Sequence, residues 1–168
     1  MKKFIVLFFT ITSFTTAHSQ EQNTPTKQQT MEWIAGKMKD HLDGERYFVS
    51  YDNGYFKYKT TLRGNNTGLV RGHCFFTINL NKIAKIDGGS CWWFVATGVN
   101  VVYRTSACEM SDGIVMVEDK IDQNRIQLNS QDHGPFDFCV EEGLYERLVK
   151  AFDVLIKYNT QKKEGEVF

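Results

Sequence analysis

Apolar residues recur at helical spacing near each end of the chain. After Thr26 one stripe consists of Met31, Ile34, Ala35, Met38 and Leu42. Thr26 and Gln29 stand three residues apart, as in a capping box that begins a helix. Between Glu142 and Asn159 a second stripe consists of Leu144, Leu148, Ala151, Phe152 and Leu155. The pattern therefore predicts an N-terminal helix that stops near Gly44 and a C-terminal helix.

The segment that follows the first helix alternates apolar and polar residues, which is typical of strands. In "RYFVSYDNGYFKYKTTL", Asn53-Gly54 separates two alternating runs and predicts a two-residue hairpin turn. Pairing across this turn places Tyr51 opposite Phe56 and Val49 opposite Tyr58. One face of the hairpin is therefore expected to join the core.

Further strands are predicted at 69–80, 99–105, 114–118 and 125–129, and "GSCWWFVATG" (89–98) adds another. The alternation loses phase near Asn81-Lys82, which predicts a bulge, and Asp87 to Ser90 is expected to form a turn. Links of hairpin length favour antiparallel neighbours. The predicted fold is α+β: an N-terminal helix, a curved antiparallel meander of about seven strands, and a C-terminal helix packed on the sheet.

The last helical segment, "LYERLVKAFDVLI", is similar to the closing helix of uncharacterised small exported bacterial proteins. The order of helix, antiparallel sheet and helix also resembles the pleckstrin-homology-like architecture. This resemblance implies a bent sheet closed by a C-terminal helix. It carries over no catalytic residue and implies no function.

The chain begins with "MKKFIVLFFTITSFTTAHSQ", which has the three parts of an export signal. Lys2 and Lys3 precede an apolar run of about 11 residues, whereas a membrane-spanning helix needs about 20. Ala17-His18-Ser19 places small residues where a signal peptidase cleaves, so we expect cleavage after Ser19 and a periplasmic or secreted protein. The alternative is an uncleaved N-terminal helix. No later segment is long and apolar enough to predict a membrane span.

Removal of a signal peptide at 1–19 leaves about 149 residues, enough for one domain. We expect that domain at 26–160, between polar tails at 20–25 and 161–168. The remaining chain has 18 basic and 20 acidic residues and no basic block. Nucleic acid and anionic membranes are therefore poor candidates for partners.

Four cysteines remain in a chain that is expected to reach an oxidising compartment, which predicts two disulfides. Four cysteines allow three pairings. A four-residue loop near Gly98–Val101 would place Cys91 opposite Cys108. The predicted pairs are then Cys91–Cys108 and Cys74–Cys139.

Strand alternation within "GSCWWFVATG" leaves two interpretations of its aromatic residues. Both faces are apolar, so the strand is either central and covered on both sides, or it exposes Trp92 with Phe94 as a ligand-binding patch. Trp33 lies off the apolar stripe of its helix and is a third candidate ligand-binding residue.

Candidate chemistry is sparse. "QDHGPFDFC" brings together Asp132, His133, Asp137 and Cys139, the residue types of a thiol nucleophile with its base. No known signature surrounds them, and a loop histidine with a structural half-cystine is the simpler interpretation. A zinc site built from His73, Cys74, His133 and Cys139 lacks the close ligand pairs typical of zinc. We therefore expect no metal and no cofactor.

These observations predict an exported, non-enzymatic domain. We expect it to bind a protein or a small apolar ligand through the sheet or a groove between helix and sheet. One alternative is a hydrolase that uses Cys139 and His133 or an unrecognised carboxylate pair. The other is a structural or oligomer-forming module.

Overall fold

The computed structural model describes residues 24–64, 68–103, 108–110, 115–116, 123–130 and 134–161. Within them lie two helices, α1 (Lys27–Asp40) and α2 (Leu144–Thr160). The strands are β1 (Arg46–Asp52), β2 (Tyr55–Arg63), β3 (Val70–Asn79), β4 (Ile83–Ser90), β5 (Trp93–Gly98), β6 (Val102–Tyr103), β7 (Cys108–Met110), β8 (Val115–Met116) and β9 (Arg125–Ser130). The α+β class is confirmed, and all strand pairs are antiparallel in the described parts of the chain. The expected signal peptide at 1–19 lies outside the described residues.

Helix α1 begins as its sequence predicts. The Thr26 hydroxyl accepts a hydrogen bond from the Gln29 backbone N–H at 3.2 Å, and the Gln29 side chain accepts one from the Thr26 N–H at 2.9 Å. This capping box satisfies two backbone donors that the first turn leaves without helical partners. The buried face of α1 consists of Thr30, Met31, Ile34, Ala35 and Met38.

The β1–β2 hairpin turns at Asn53-Gly54, as predicted. Both residues have positive φ, +47° and +83°, which is the conformation of the tight turn that Asn-Gly favours. Tyr51 lies opposite Phe56, so this part of the register is confirmed.

The predicted pairing of Val49 with Tyr58 is wrong. A bulge between Phe48 and Ser50 shifts the register, so that Phe48 lies opposite Tyr58 and Val49 is exposed. Phe48 now faces the core edge, with its ring 5.5 Å from that of Phe56. An extra residue in one strand reverses the faces beyond it, and strict alternation does not reveal it.

The strands form two sheets rather than the single meander that the sequence predicted. The large sheet has the order β1-β2-β3-β7-β8, with β6 also paired to β3, and the small sheet has the order β4-β5-β9. A 3₁₀ turn at Leu80–Lys82 stands where a bulge was expected and separates β3 from β4. The chain leaves the large sheet at this turn and returns to it with β6.

The turn between β4 and β5 also differs from the prediction. Strand β4 continues through Ser90, and the turn consists of Cys91 and Trp92. Irregular pairing between Asp87 and Ser90 accommodates the two glycines inside the strand. Trp92 is therefore a turn residue and does not belong to the strand that follows.

Helix α2 packs against β4 and α1. Its buried residues are Leu144, Leu148, Phe152 and Leu155, the predicted stripe with Ala151 partly buried beside it. The Phe152 ring meets Phe94 of β5 edge to face, with centroids 5.5 Å apart. At its other end Asn159 donates from its amide to the backbone oxygens of Leu80 and Ile83, at 2.9 and 2.8 Å. These contacts fix α2 along the small sheet.

No described helix is long and apolar enough to serve as a transmembrane segment.

Candidate functional site

Two disulfides are present, as predicted, but the predicted pairing is wrong. The bonds join Cys74 to Cys108 and Cys91 to Cys139. Strand β7 pairs with β3 instead of β5, and the register of His73 with Glu109 brings Cys74 opposite Cys108. Cys91, at the β4–β5 turn, is left to bond with the segment that precedes α2. Two disulfides fit an oxidising compartment.

The disulfides also bear on the candidate chemistry. Cys139 is bonded to Cys91, so it is not a thiol nucleophile in this structure. His133, its proposed base, and Asp132 lie outside the described residues. Cys74 and Cys139 of the hypothetical zinc site are both oxidised. In the described part of the chain, no group of three or more His, Cys, Asp and Glu residues is placed to hold a metal ion.

The three predicted ligand-binding residues have different environments. Trp92 is 53% exposed at the turn, Trp33 is 37% exposed on α1, and Phe94 is only 1% exposed. Phe94 is therefore a core residue, and the predicted patch of Trp92 with Phe94 does not form. Trp93, which follows the turn, is 49% exposed.

An open groove lies between α1 and α2, and we call it the helix groove. Its volume is about 350 Å³. Its lining residues are Pro25, Gln29, Thr30 and Trp33 on the α1 side and Ala151 and Val154 on α2. The Tyr158 hydroxyl donates a hydrogen bond to the Pro25 carbonyl at 3.1 Å, which joins the start of the α1 segment to α2.

The polar groups of the helix groove are largely engaged in hydrogen bonds within the protein. The Thr30 hydroxyl donates to the Thr26 carbonyl at 2.9 Å, and the Gln29 side-chain oxygen accepts from the Thr26 N–H. The surface that remains consists mainly of an indole ring, a proline ring and two small aliphatic side chains. This chemistry suits an apolar group better than a polar one.

A second opening, which we call the hairpin groove, lies beside the β4–β5 turn. Its volume is about 330 Å³. It is lined by Gly89, Ser90, Cys91 and Trp92 of the hairpin, by Phe138, Cys139, Glu141, Glu142 and Gly143, and by Tyr145 and Glu146 of α2. Unlike the helix groove, it contains several carboxylates.

Glu141 connects the hairpin groove to the two helices. Its carboxylate accepts hydrogen bonds from Lys37 at 2.9 Å, from His41 at 3.1 Å, and from Arg147. The hydrogen bond from Lys37, followed by those from Arg147 and His41, lowers the pKa of Glu141 to about 2. This carboxylate therefore remains charged well into acid and ties α1 to the start of α2.

Among the residues that line the two grooves, the sequence predicts Trp33 and Trp92 as ligand-binding residues and Cys91 and Cys139 as disulfide cysteines. Ala151 was assigned to the buried stripe of α2, and Val154 lay outside it. Glu141, Glu142 and Tyr145 carried no local signal. Their proximity to Trp92 comes from contacts between distant parts of the sequence, which are the Cys91–Cys139 bond and the packing of Tyr145 on β4 and β5.

Comparison with known protein families, with curated proteins and with solved structures gave no match to this chain.

Proposed function

We propose that the protein is an exported, non-enzymatic binding domain that holds a small apolar ligand in the helix groove. The observation that carries this proposal is the groove itself, in which Trp33 of α1 faces a cleft shared with Ala151 and Val154 of α2. Its volume of about 350 Å³ lies near the lower end of the range for small-molecule sites, about 300–1,000 Å³. The groove therefore suits one short alkyl chain or one aromatic ring system.

The two helices that form the walls of this groove are both anchored in the hydrophobic core. Ile34 and Met38 of α1 are fully buried in the core, as are Leu148 and Phe152 of α2. Helices anchored in this way do not need to be ordered when a ligand binds, and preorganisation of this kind favours affinity. A tryptophan that is partly exposed at such a cleft offers a large apolar surface at low entropic cost.

We also propose that the protein is exported. The charged, apolar and small-residue parts of 1–19 support a cleavable signal, and the two disulfides support an oxidising destination such as the periplasm or the exterior. We also propose that the chain shares its arrangement of sheet and closing helix with small exported proteins of pleckstrin-homology-like architecture. A ligand met in that space would be a small hydrophobic molecule or an apolar group on a larger one.

Tryptophan fluorescence tests the proposed ligand class. A Trp92→Phe/Trp93→Phe variant leaves Trp33 as the only tryptophan of the chain. Octanol that carries a terminal bromine is the probe, because a heavy atom held against an indole quenches its emission. We expect saturable quenching of Trp33 that unlabelled octanol reverses.

Two phenylalanine substitutions on α2 serve as variant and matched control. Ala151→Phe fills the groove and should weaken binding at least about tenfold by steric exclusion. Lys150→Phe adds the same ring at an exposed neighbouring position outside the groove lining and should leave binding unchanged. Quenching that rises linearly without saturation, or that is equal in both variants, would contradict the proposed site.

A further inference from the structure

The hairpin groove presents an exposed indole beside a cleft. Trp92 is 53% exposed although it is one of the largest apolar side chains of the chain, and it lines an opening of about 330 Å³. Large aromatic side chains that remain exposed at a concave site are typical anchors for binding. Neither helix capping nor core packing explains why this side chain is exposed to solvent.

The position of Trp92 is fixed by covalent and polar contacts around the turn. The Cys91–Cys139 bond attaches the turn to the segment before α2. The buried Asn129 donates from its amide to the Cys91 carbonyl at 2.6 Å, and the Tyr145 hydroxyl donates to the Gly88 carbonyl at 2.9 Å. These three contacts therefore hold the hairpin in place, which preorganises the cleft for a ligand.

The charge of the cleft indicates the chemistry of its ligand. Among the described residues that line it are the carboxylates Glu141, Glu142 and Glu146, but no lysine or arginine. Glu141 is already compensated by Lys37 and Arg147. Glu142 and Glu146 are exposed and have no ion-pair partner in the described part of the chain. The Arg147 guanidinium lies nearby, but it donates to Glu141 and to the backbone carbonyls of Gly143 and Glu142 rather than to these two carboxylates. An indole surface beside two exposed carboxylates that form no ion pair with a described residue is complementary to a cation that also has an apolar face.

We propose that the hairpin groove binds an arginine side chain presented by a protein partner. A guanidinium group is planar, so it stacks on an indole ring and still donates hydrogen bonds to carboxylates at its edge. Lysine, a compact and strongly hydrated point charge, satisfies only the electrostatic part of this arrangement. This site is separate from the helix groove and does not depend on the ligand proposed there.

The test is an NMR titration of the whole protein with a capped Gly-Arg-Gly peptide, followed through the indole signal of Trp92 and the amides of Ser90 and Cys91. A peptide in which citrulline replaces arginine keeps the shape and removes the charge. We expect saturable binding of the arginine peptide that weakens with added salt, and binding of the citrulline peptide about tenfold weaker. A lysine peptide should fall between the two.

Variants separate the aromatic contribution from the electrostatic one. Trp92→Ala should weaken binding about threefold to fivefold, the range for an exposed cation–π contact, whereas Trp93→Ala removes an equally exposed tryptophan outside the lining and should have no effect. Glu142→Gln/Glu146→Gln should weaken binding and reduce its salt dependence, and Ala151→Phe should leave it intact.

Equal affinity for the arginine and citrulline peptides would overturn the proposal. The same holds if Trp92→Ala and Trp93→Ala behave alike, if the arginine peptide shows no saturable binding, or if octanol occupies this cleft in its place. Trp92, Trp93, Glu142 and Glu146 are exposed, so the amide spectra of the variants at these positions should otherwise match that of the wild type.

Discussion

At the residue scale, Gly98 occupies a point of very close backbone approach. It ends β5 opposite Ile83, and a Cβ atom added there would lie 1.9 Å from the Lys82 carbonyl oxygen. A second contact, with the Val101 side chain, would be only 2.8 Å. Because a backbone oxygen cannot turn away as a flexible side chain does, any residue other than glycine must displace the 3₁₀ turn or the strand.

Gly98→Ala should therefore destabilise the protein by about 2 kcal/mol or more, the scale of an overpacked site. Urea unfolding followed by tryptophan fluorescence measures the change. Gly89→Ala is the matched control, because a Cβ atom at Gly89 meets nothing within 4 Å and its φ is not positive. If the two alanine variants unfolded at the same urea concentration, the close approach at Gly98 would be contradicted.

The three consecutive aromatic residues Trp92, Trp93 and Phe94 show where strand alternation fails to predict which side chains are buried. Alternation predicted Trp92 and Phe94 on one face, but the turn ends at Trp92 and the strand begins only at Trp93. Trp93 is exposed and Phe94 is buried, but the next two residues, Val95 and Ala96, are both buried, so burial does not alternate along the rest of β5. The position of the turn depends on Cys91–Cys139 and on pairing with β9, and both are contacts with residues distant in sequence.

At the scale of elements, Glu141 connects segments of the chain whose proximity no local sequence pattern predicts. Lys37 and His41 come from the C-terminal end of the first helical segment, and Arg147 comes from the first turn of α2. A carboxylate whose pKa falls on folding contributes stability above its unfolded pKa and loses that contribution as the pH falls through its folded pKa. For Glu141 this interval runs from about 4.5 to about 2.

Glu141→Gln should therefore be less stable than the wild type at pH 6, and the difference should shrink as the pH falls from 4.5 to 2. Denaturant unfolding at several pH values measures this difference directly. Asp153→Asn, which removes an exposed carboxylate from α2, controls for the loss of one negative charge. A wild-type advantage over Glu141→Gln that persists undiminished at pH 2 would contradict the assigned role of this carboxylate.

Elements whose signals are local were predictable from the sequence. The capping box of α1, the Asn53-Gly54 turn and the buried stripe of α2 depend on residues a few positions apart. The division of the strands into two sheets and the pairing of the cysteines were not predictable, because they depend on β6 and β7 returning to β3. The sequence pattern of residues 99–110 is the same whether these strands pair with the strand next to them in sequence or with a more distant one.

At the scale of the whole molecule, α2 links both candidate binding sites to the core. Tyr145 and Glu146 line the hairpin groove, and Ala151 and Val154 line the helix groove. Tyr145 and Ala151 are six positions apart, which corresponds to roughly 9 Å along the helix axis. The two sites are therefore neighbours on one rigid element, and in each of them a tryptophan is the residue that the sequence predicts to bind a ligand.

Amide chemical-shift mapping with octanol is the most direct test of the central claim that the helix groove binds an apolar ligand. We expect saturable shifts only at the amides of residues 26–33 and 151–154, while the amides of Ser90, Cys91 and Trp92 remain unchanged. Shifts centred on the β4–β5 turn, or shifts that spread over the surface without saturating, would contradict it.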